Sequence, residues 1–200
     1  MATDRITGVV LAAGSSRRLG TPKQLLPYLD STLLAATLTS ARACPFDQLI
    51  VTLNGDAAAA VRASVPLDGA DVVVAADAGQ GCSASLRAAL ARVDPAAAGI
   101  VLLLGDQPGV RPDTVRRLIA GRGGDPVVVC RYADGIGHPF WLGRTVFDEL
   151  AALHGDKGVW KLVAGGRFPV GEVAVDGDIP LDVDTWADYE RLLAAETVAR

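Results

Sequence analysis

Residues 7–28 read TGVVLAAGSSRRLGTPKQLLPY. Val9, Val10 and Leu11 make the end of a short buried strand. The chain then opens into Ala12, Ala13, Gly14, Ser15 and Ser16, and Arg17, Arg18 and Lys23 follow. A strand that runs out into small residues and then cations predicts a loop that holds phosphates. Few side chains keep an anion from the backbone N–H groups, and the cations neutralise its charge. The stretch is not a Walker A loop. Gly14 and Gly20 lie one residue too far apart, and Lys23 does not directly follow the second glycine.

Apolar, β-branched runs recur along the rest of the chain. They predict strands over 6–11, 48–53, 71–75, 99–104, 126–131 and 172–175. The fourth, GIVLLL, has no polar alternation, as expected of a strand covered on both faces within a parallel sheet. Helical patterns fall between these runs, over 32–43, 83–93, 113–120, 144–153, 156–164 and 185–195. Asp30 or Ser31 would cap the first helix. Pro112 suits the first turn of the third. This alternation predicts an α/β domain, doubly wound, with a mostly parallel sheet flanked by helices. No linker or repeat divides residues 1–200, so one domain is expected. After residue 130 the pattern loosens into a His-Pro turn and two adjacent helices, a half expected to serve an acceptor.

The net charge is −4 and 50% of residues are hydrophobic, so the cations near the start are a local feature of a mildly acidic chain. That balance favours a small anionic ligand over nucleic acid. No apolar run nears the roughly 18 residues of a membrane span, and no signal peptide opens the sequence. A cytoplasmic protein without a membrane partner is expected. Cys44, Cys82 and Cys130 form no metal spacing and read as reduced small residues, with Cys82 in a loop that faces ligand.

Ligands of open α/β sheets lie beyond the carboxyl ends of the strands. Two loops are therefore candidates: residues 12–23, and Gly105-Asp106-Gln107-Pro108 after the buried fourth strand. Asp106 suits a Mg2+ ion bound with a nucleotide, since such ions take one or two carboxylates plus phosphate oxygens. Near the end, Asp184 or Thr185 caps the last helix. The second metal ligand is Asp182, projecting from a strand end, or alternatively Asp184. Residues 79–84, GQGCSA, fit a dinucleotide fingerprint but lack the acidic partner about 20 residues on. They read instead as a close backbone approach to a base or ribose. His138, in a Gly-His-Pro turn, is a candidate for the acceptor pocket. His154 reads as the end of a helix. Trp141, Trp160 and Trp186 read as core or pocket wall. No serine stands in a nucleophile elbow.

The runs LAAGSSRRLGTPKQLLPY, GDQP, GHP and GDKG, in this order, resemble the molybdenum cofactor cytidylyltransferases, within the Rossmann-like nucleotidyltransferases. The resemblance spans residues 6 to about 193. Guanylyl-transferring relatives usually carry Leu-Ala-Gly-Gly where this chain has Leu11, Ala12, Ala13 and Gly14, which inclines the likeness to the cytidylyl branch.

The resemblance implies a three-layer Rossmann-like nucleotidyltransferase domain. It implies Mg2+-dependent transfer of CMP from CTP to the terminal phosphate of molybdopterin, with release of pyrophosphate. CTP would lie over Leu11, Ala12, Ala13, Gly14, Ser15 and Ser16, with Arg18 and Lys23 on the triphosphate. Gln80, Gly81, Ser83 and Ser85 would contact cytosine and ribose. Asp106 and Asp182 would hold Mg2+. His138 and Asp156 would meet the molybdopterin-type acceptor, and a molybdoenzyme or its chaperone would be a further partner. Two positions depart from the family pattern: Leu19 stands where Met is common, and Trp160 stands where an arginine is usual. Alternatives are a nucleotidyltransferase for another phosphorylated acceptor, and an NAD(P)H-dependent oxidoreductase resembling nicotine blue oxidoreductase.

Overall fold

The computed structural model describes residues 4–75, 82–155 and 158–198. Its centre is a seven-stranded sheet. In chain order the strands are β1 (Arg5–Ala12), β4 (Gln48–Asn54), β5 (Asp71–Ala75), β6 (Ala97–Leu104), β7 (Val127–Arg131), β8 (Ile136–Gly143) and β9 (Val170–Ala174); β2 (Pro27–Tyr28) and β3 (Ser31–Thr32) form a separate short hairpin. The spatial order is β5-β4-β1-β6-β8-β7-β9. Only β8 runs antiparallel to its neighbours, so the sheet is mostly parallel.

The helices are α1 (Leu33–Arg42), α2 (Gly55–Ser64), α3 (Cys82–Leu90), α4 (Pro112–Gly121), α5 (Phe147–Ala152), α6 (Gly158–Ala164) and α7 (Trp186–Val198). Side chains of β1 alternate between two cores, as the period-2 geometry of a strand requires. Ile6, Val10 and Ala12 join Leu34 and Leu38 of α1, Val61 of α2 and Leu118 of α4. Val9 and Leu11 join Leu86 of α3, Leu150 of α5 and Leu162 of α6 on the other face. A third cluster packs Leu19, Leu26 and Tyr28 against Val183 and Leu192, which ties the hairpin to α7. Among the described residues no helix is long and apolar enough to cross a membrane.

Several local readings are corrected. Thr32, not Asp30 or Ser31, caps α1, its hydroxyl accepting from the Ala35 N–H at 3.3 Å. The 55–64 segment is a helix that the apolar pattern missed. The GHP segment is no turn: His138 lies within β8, buried, with a cis peptide bond to Pro139. The pairing of β7 with β8 skips from Val129↔Phe140 to Cys130↔Gly137. His138 and Pro139 therefore sit in an irregularity, where a missing N–H interrupts no ladder bond. His154 lies beyond the end of α5, and Trp186 is exposed rather than core.

The chain leaves β1 for β4 and β5 on one side, then crosses back to β6 on the other. The strand order thus reverses between β1 and β6. A crevice opens at the carboxyl ends of strands at such a switch point, and the structure places residues 12–16 and Asp106 there.

Candidate active site

A cavity of about 590 Å³ occupies this crevice. Its lining includes Leu11 to Arg18 from the loop after β1, Lys23, Ser85, Asp106, Asp182 and Asp184. The loop after β1 and the turn after β6 touch directly. Gly105 N–H donates to Leu11 carbonyl oxygen at 2.9 Å. A Cβ at Gly105 would stand 2.6 Å from the Ala12 Cβ. No side chain fits between the two segments, so they stay in register.

The loop is held open in an extended arc. Ser16 adopts φ +51°, a left-handed conformation that side chains seldom take. Its carbonyl accepts from Leu19 and Gly20 N–H at 3.0 and 3.2 Å, and its hydroxyl from Lys23 N–H at 2.9 Å. These bonds close the arc and bring the Lys23 side chain back over the loop.

Lys23 Nζ sits in a cage of oxygens. It donates to an Asp106 carboxylate oxygen, to Val183 carbonyl oxygen at 2.9 Å and to Asp184 Oδ1 at 3.0 Å. Burial alone would push the ammonium toward neutrality. The two carboxylates outweigh it, and the Lys23 pKa is raised. Burial of Asp184 is likewise outweighed, here by Lys23 and Arg18, so its pKa is lowered. Arg18 Nη2 reaches Asp184 Oδ2 at 3.0 Å.

Asp184 thus lines the cavity and is not the cap of α7. The cap is Thr185: its hydroxyl accepts from Asp188 N–H at 3.2 Å, while Asp188 accepts from Thr185 N–H at 2.8 Å. This reciprocal capping box turns Asp184 back toward the cavity. The signal was present in the sequence as Thr185 with Asp188 three residues on.

Other expected site residues are distributed differently. Ser83 is buried, and its hydroxyl donates to Gly155 carbonyl oxygen at 2.5 Å, away from the cavity lining. His138 also stands outside that lining. Its ring stacks on Phe140 at 4.2 Å and meets Trp160 edge-on at 6.0 Å. Burial lowers its pKa to about 4, so it is neutral at pH 7. Gln80, Gly81 and Asp156 lie outside the described residues.

A donor set of carboxylate and carbonyl oxygens is the kind that hard divalent cations prefer. The cage around the Lys23 ammonium is such a set. Among the described residues, no group of three or more His, Cys, Asp or Glu residues forms a ready-made metal site. Asp106 with Asp182 or Asp184 would supply only part of a coordination shell. Mg2+ and Mn2+ in nucleotide sites commonly complete theirs with phosphate oxygens and water.

Residues 8–170 match the MobA-like NTP transferase domain, and the chain belongs to that family. It is 68% identical to Rv0371c from Mycobacterium tuberculosis H37Rv, whose crystal structure superimposes with a TM-score of 0.92 over 97% of this chain and 100% of that one. A second crystal structure of Rv0371c, a complex with manganese, aligns with a TM-score of 0.87 over 96% of this chain and 99% of that one, at 64% identity. Purine catabolism protein PucB of Bacillus subtilis is 28% identical across 98% of this chain and 99% of its own. Nicotine blue oxidoreductase of Paenarthrobacter nicotinovorans is 36% identical across 94% and 96%. The fold and family are those of nucleotidyltransferases.

Proposed function

We propose that residues 1–200 form one domain that transfers CMP from CTP to the terminal phosphate of a molybdopterin-type acceptor. An acceptor phosphate oxygen would attack the α-phosphorus of CTP, the bond to the β-phosphate would break, and pyrophosphate would leave. The observation that carries this reading is the meeting of three features on one cavity. These are the small-residue loop with Arg18, the Lys23 ammonium, and the buried Asp106 carboxylate.

The attacking group is already an anion, so little acid–base chemistry is required. The work is to bring two anions together and to stabilise charge on the leaving group. The small residues of the loop after β1 would let backbone N–H groups approach the phosphates, and Arg18 and Lys23 add positive charge. Ser85 lines the same cavity and would lie near the base and ribose. Asp106, with Asp182 or Asp184, would hold a divalent ion, Mg2+ in the proposal. The ion would neutralise phosphate oxygens and orient the pyrophosphate. The manganese complex of Rv0371c supports a divalent ion at this kind of domain.

The acceptor half carries Trp160 and an uncharged His138, neither of which offers a cation to a phosphate. The proposal assigns the reaction to the cytoplasm and requires neither nucleic acid nor membrane. Incubation with CTP or GTP, Mg2+ and molybdenum-loaded molybdopterin tests it. Pyrophosphate release with CTP supports the reading, and no release with any nucleotide defeats it. A panel of phosphorylated acceptors separates the molybdopterin reading from a transferase for another acceptor.

The 36% identity to nicotine blue oxidoreductase favours one other reading, an NAD(P)H-dependent oxidoreductase on this fold. Binding and oxidation of NAD(P)H by the purified protein would support it.

A further inference from the structure

We infer that Gln24 is the positioning residue of the phosphate loop: its side-chain amide fixes two peptide planes so that their N–H groups are presented to the phosphates of a bound nucleotide. This inference rests on the nucleotide reading given above. Gln24 stands in the short 3-10 turn Lys23–Leu25 and is 2% exposed. Its Nε2 donates to Ala12 carbonyl oxygen at 2.5 Å and to Gly14 carbonyl oxygen at 3.2 Å.

A trans peptide is planar, with its C=O and N–H pointing in opposite directions. Holding the Ala12 and Gly14 carbonyls against Gln24 therefore turns the N–H groups of Ala13 and Ser15 away from it. Neither N–H donates to any described residue. Ala13 is itself 3% exposed. A buried donor without a protein partner, as at Ala13, calls for another acceptor, and Ala13 and the exposed Ser15 both line the 590 Å³ cavity. Unpaired backbone N–H groups turned to one side of a cavity are donors that an anion there can use.

The rest of the Gln24 side chain points to the same role. Its Oε1 is buried with no hydrogen-bond partner. An unpaired buried acceptor is a cost that an apolar side chain of the same length would avoid. The amide is retained for its two donors. A positively charged side chain there would donate equally well, but it would bring a second buried cation beside Lys23.

The test compares the wild-type protein with Gln24→Met, which keeps the volume and removes the donors, and with Gln24→Glu, which opposes a carboxylate to the two carbonyls. Affinities for CTP, CMP and inorganic pyrophosphate are measured with melting temperatures. Losing the alignment of two charge-assisted hydrogen bonds weakens CTP and pyrophosphate by about tenfold or more. CMP, which has less phosphate to hold, changes by less than about threefold. The KM for CTP rises more than kcat falls. Equal losses for CTP and CMP, or no loss, overturn the inference. If the wild-type protein binds no nucleoside triphosphate, the nucleotide reading itself has failed. Should both variants unfold, the wild-type amide resonances decide. Pyrophosphate must shift those of Ala13 and Ser15, and unmoved resonances refute the role.

Discussion

Lys23 and Asp106 lie 83 positions apart in the chain, and the Lys23 ammonium donates to the Asp106 carboxylate inside the cavity. The ammonium occupies oxygens that a divalent ion would also use. Replacing Lys23 by Met leaves Asp106 buried without its cation. The expected cost is about 3 kcal/mol of stability, since breaking a buried pair strands one partner. Added Mn2+ should then raise the melting temperature of the variant more than that of the wild-type protein, because the ammonium no longer competes for the Asp106 carboxylate. Equal shifts would mean that lysine and metal do not share a site.

Asp106→Ala removes the carboxylate at the mouth of the sheet. Pyrophosphate release should be abolished, while metal-independent nucleotide binding survives in part. Normal turnover in this variant would remove Asp106 from the site.

The Arg18 guanidinium is mostly exposed and pairs with Asp184, which is also partly exposed. Such a pair contributes little stability. Arg18→Ala should therefore leave the melting temperature nearly unchanged. It should weaken triphosphate binding by about tenfold, the scale of one charge-assisted hydrogen bond. Isothermal titration at two salt concentrations checks this.

Gly105→Ala tests the contact between the two loops. The added methyl would press on Ala12, 2.6 Å from its Cβ. Overpacking of this kind costs about 1–3 kcal/mol. It should also lower turnover by moving Asp106 relative to the loop. Unaltered stability and activity would show that the two segments are not fixed against each other.

His138 sets an acid limit on stability. Its pKa is 6.5 in the unfolded chain and about 4 in the fold, where burial disfavours the charged form. Between these values the unfolded state binds the proton and the folded state does not. Stability is therefore lost as pH falls from 6.5 toward 4 and is complete above that window. The loss is about 2 kcal/mol by pH 5. His138→Phe should flatten this part of the profile in chemical denaturation.

The parallel strands were legible because continuous apolar runs mark elements covered on both faces. β1 and β6 extend only a residue or two beyond their expected bounds. β8 was illegible because Gly137, His138 and Pro139 look like a turn. Its pairing tolerates them only through an irregularity that depends on β7. α2 was missed because its alanines buried little: only Ala58 and Val61 are covered. In the site, the loop and Asp106 announce themselves by residue type and place. Asp184 stood beside a helix start, where capping and metal binding were both open to it, and only the fold gives the capping role to Thr185. Gln24 was hidden within an apolar stretch, and only the fold brings its amide to the loop carbonyls.

A crystal structure with CTP and Mn2+ tests the central claim most directly, because manganese is located by its anomalous signal. The account predicts the triphosphate against the loop of residues 12–16, with the Ala13 and Ser15 N–H groups on it, and the metal bonded to Asp106 at about 2.1 Å. A triphosphate bound away from that loop, or a metal with no contact to Asp106, would contradict it.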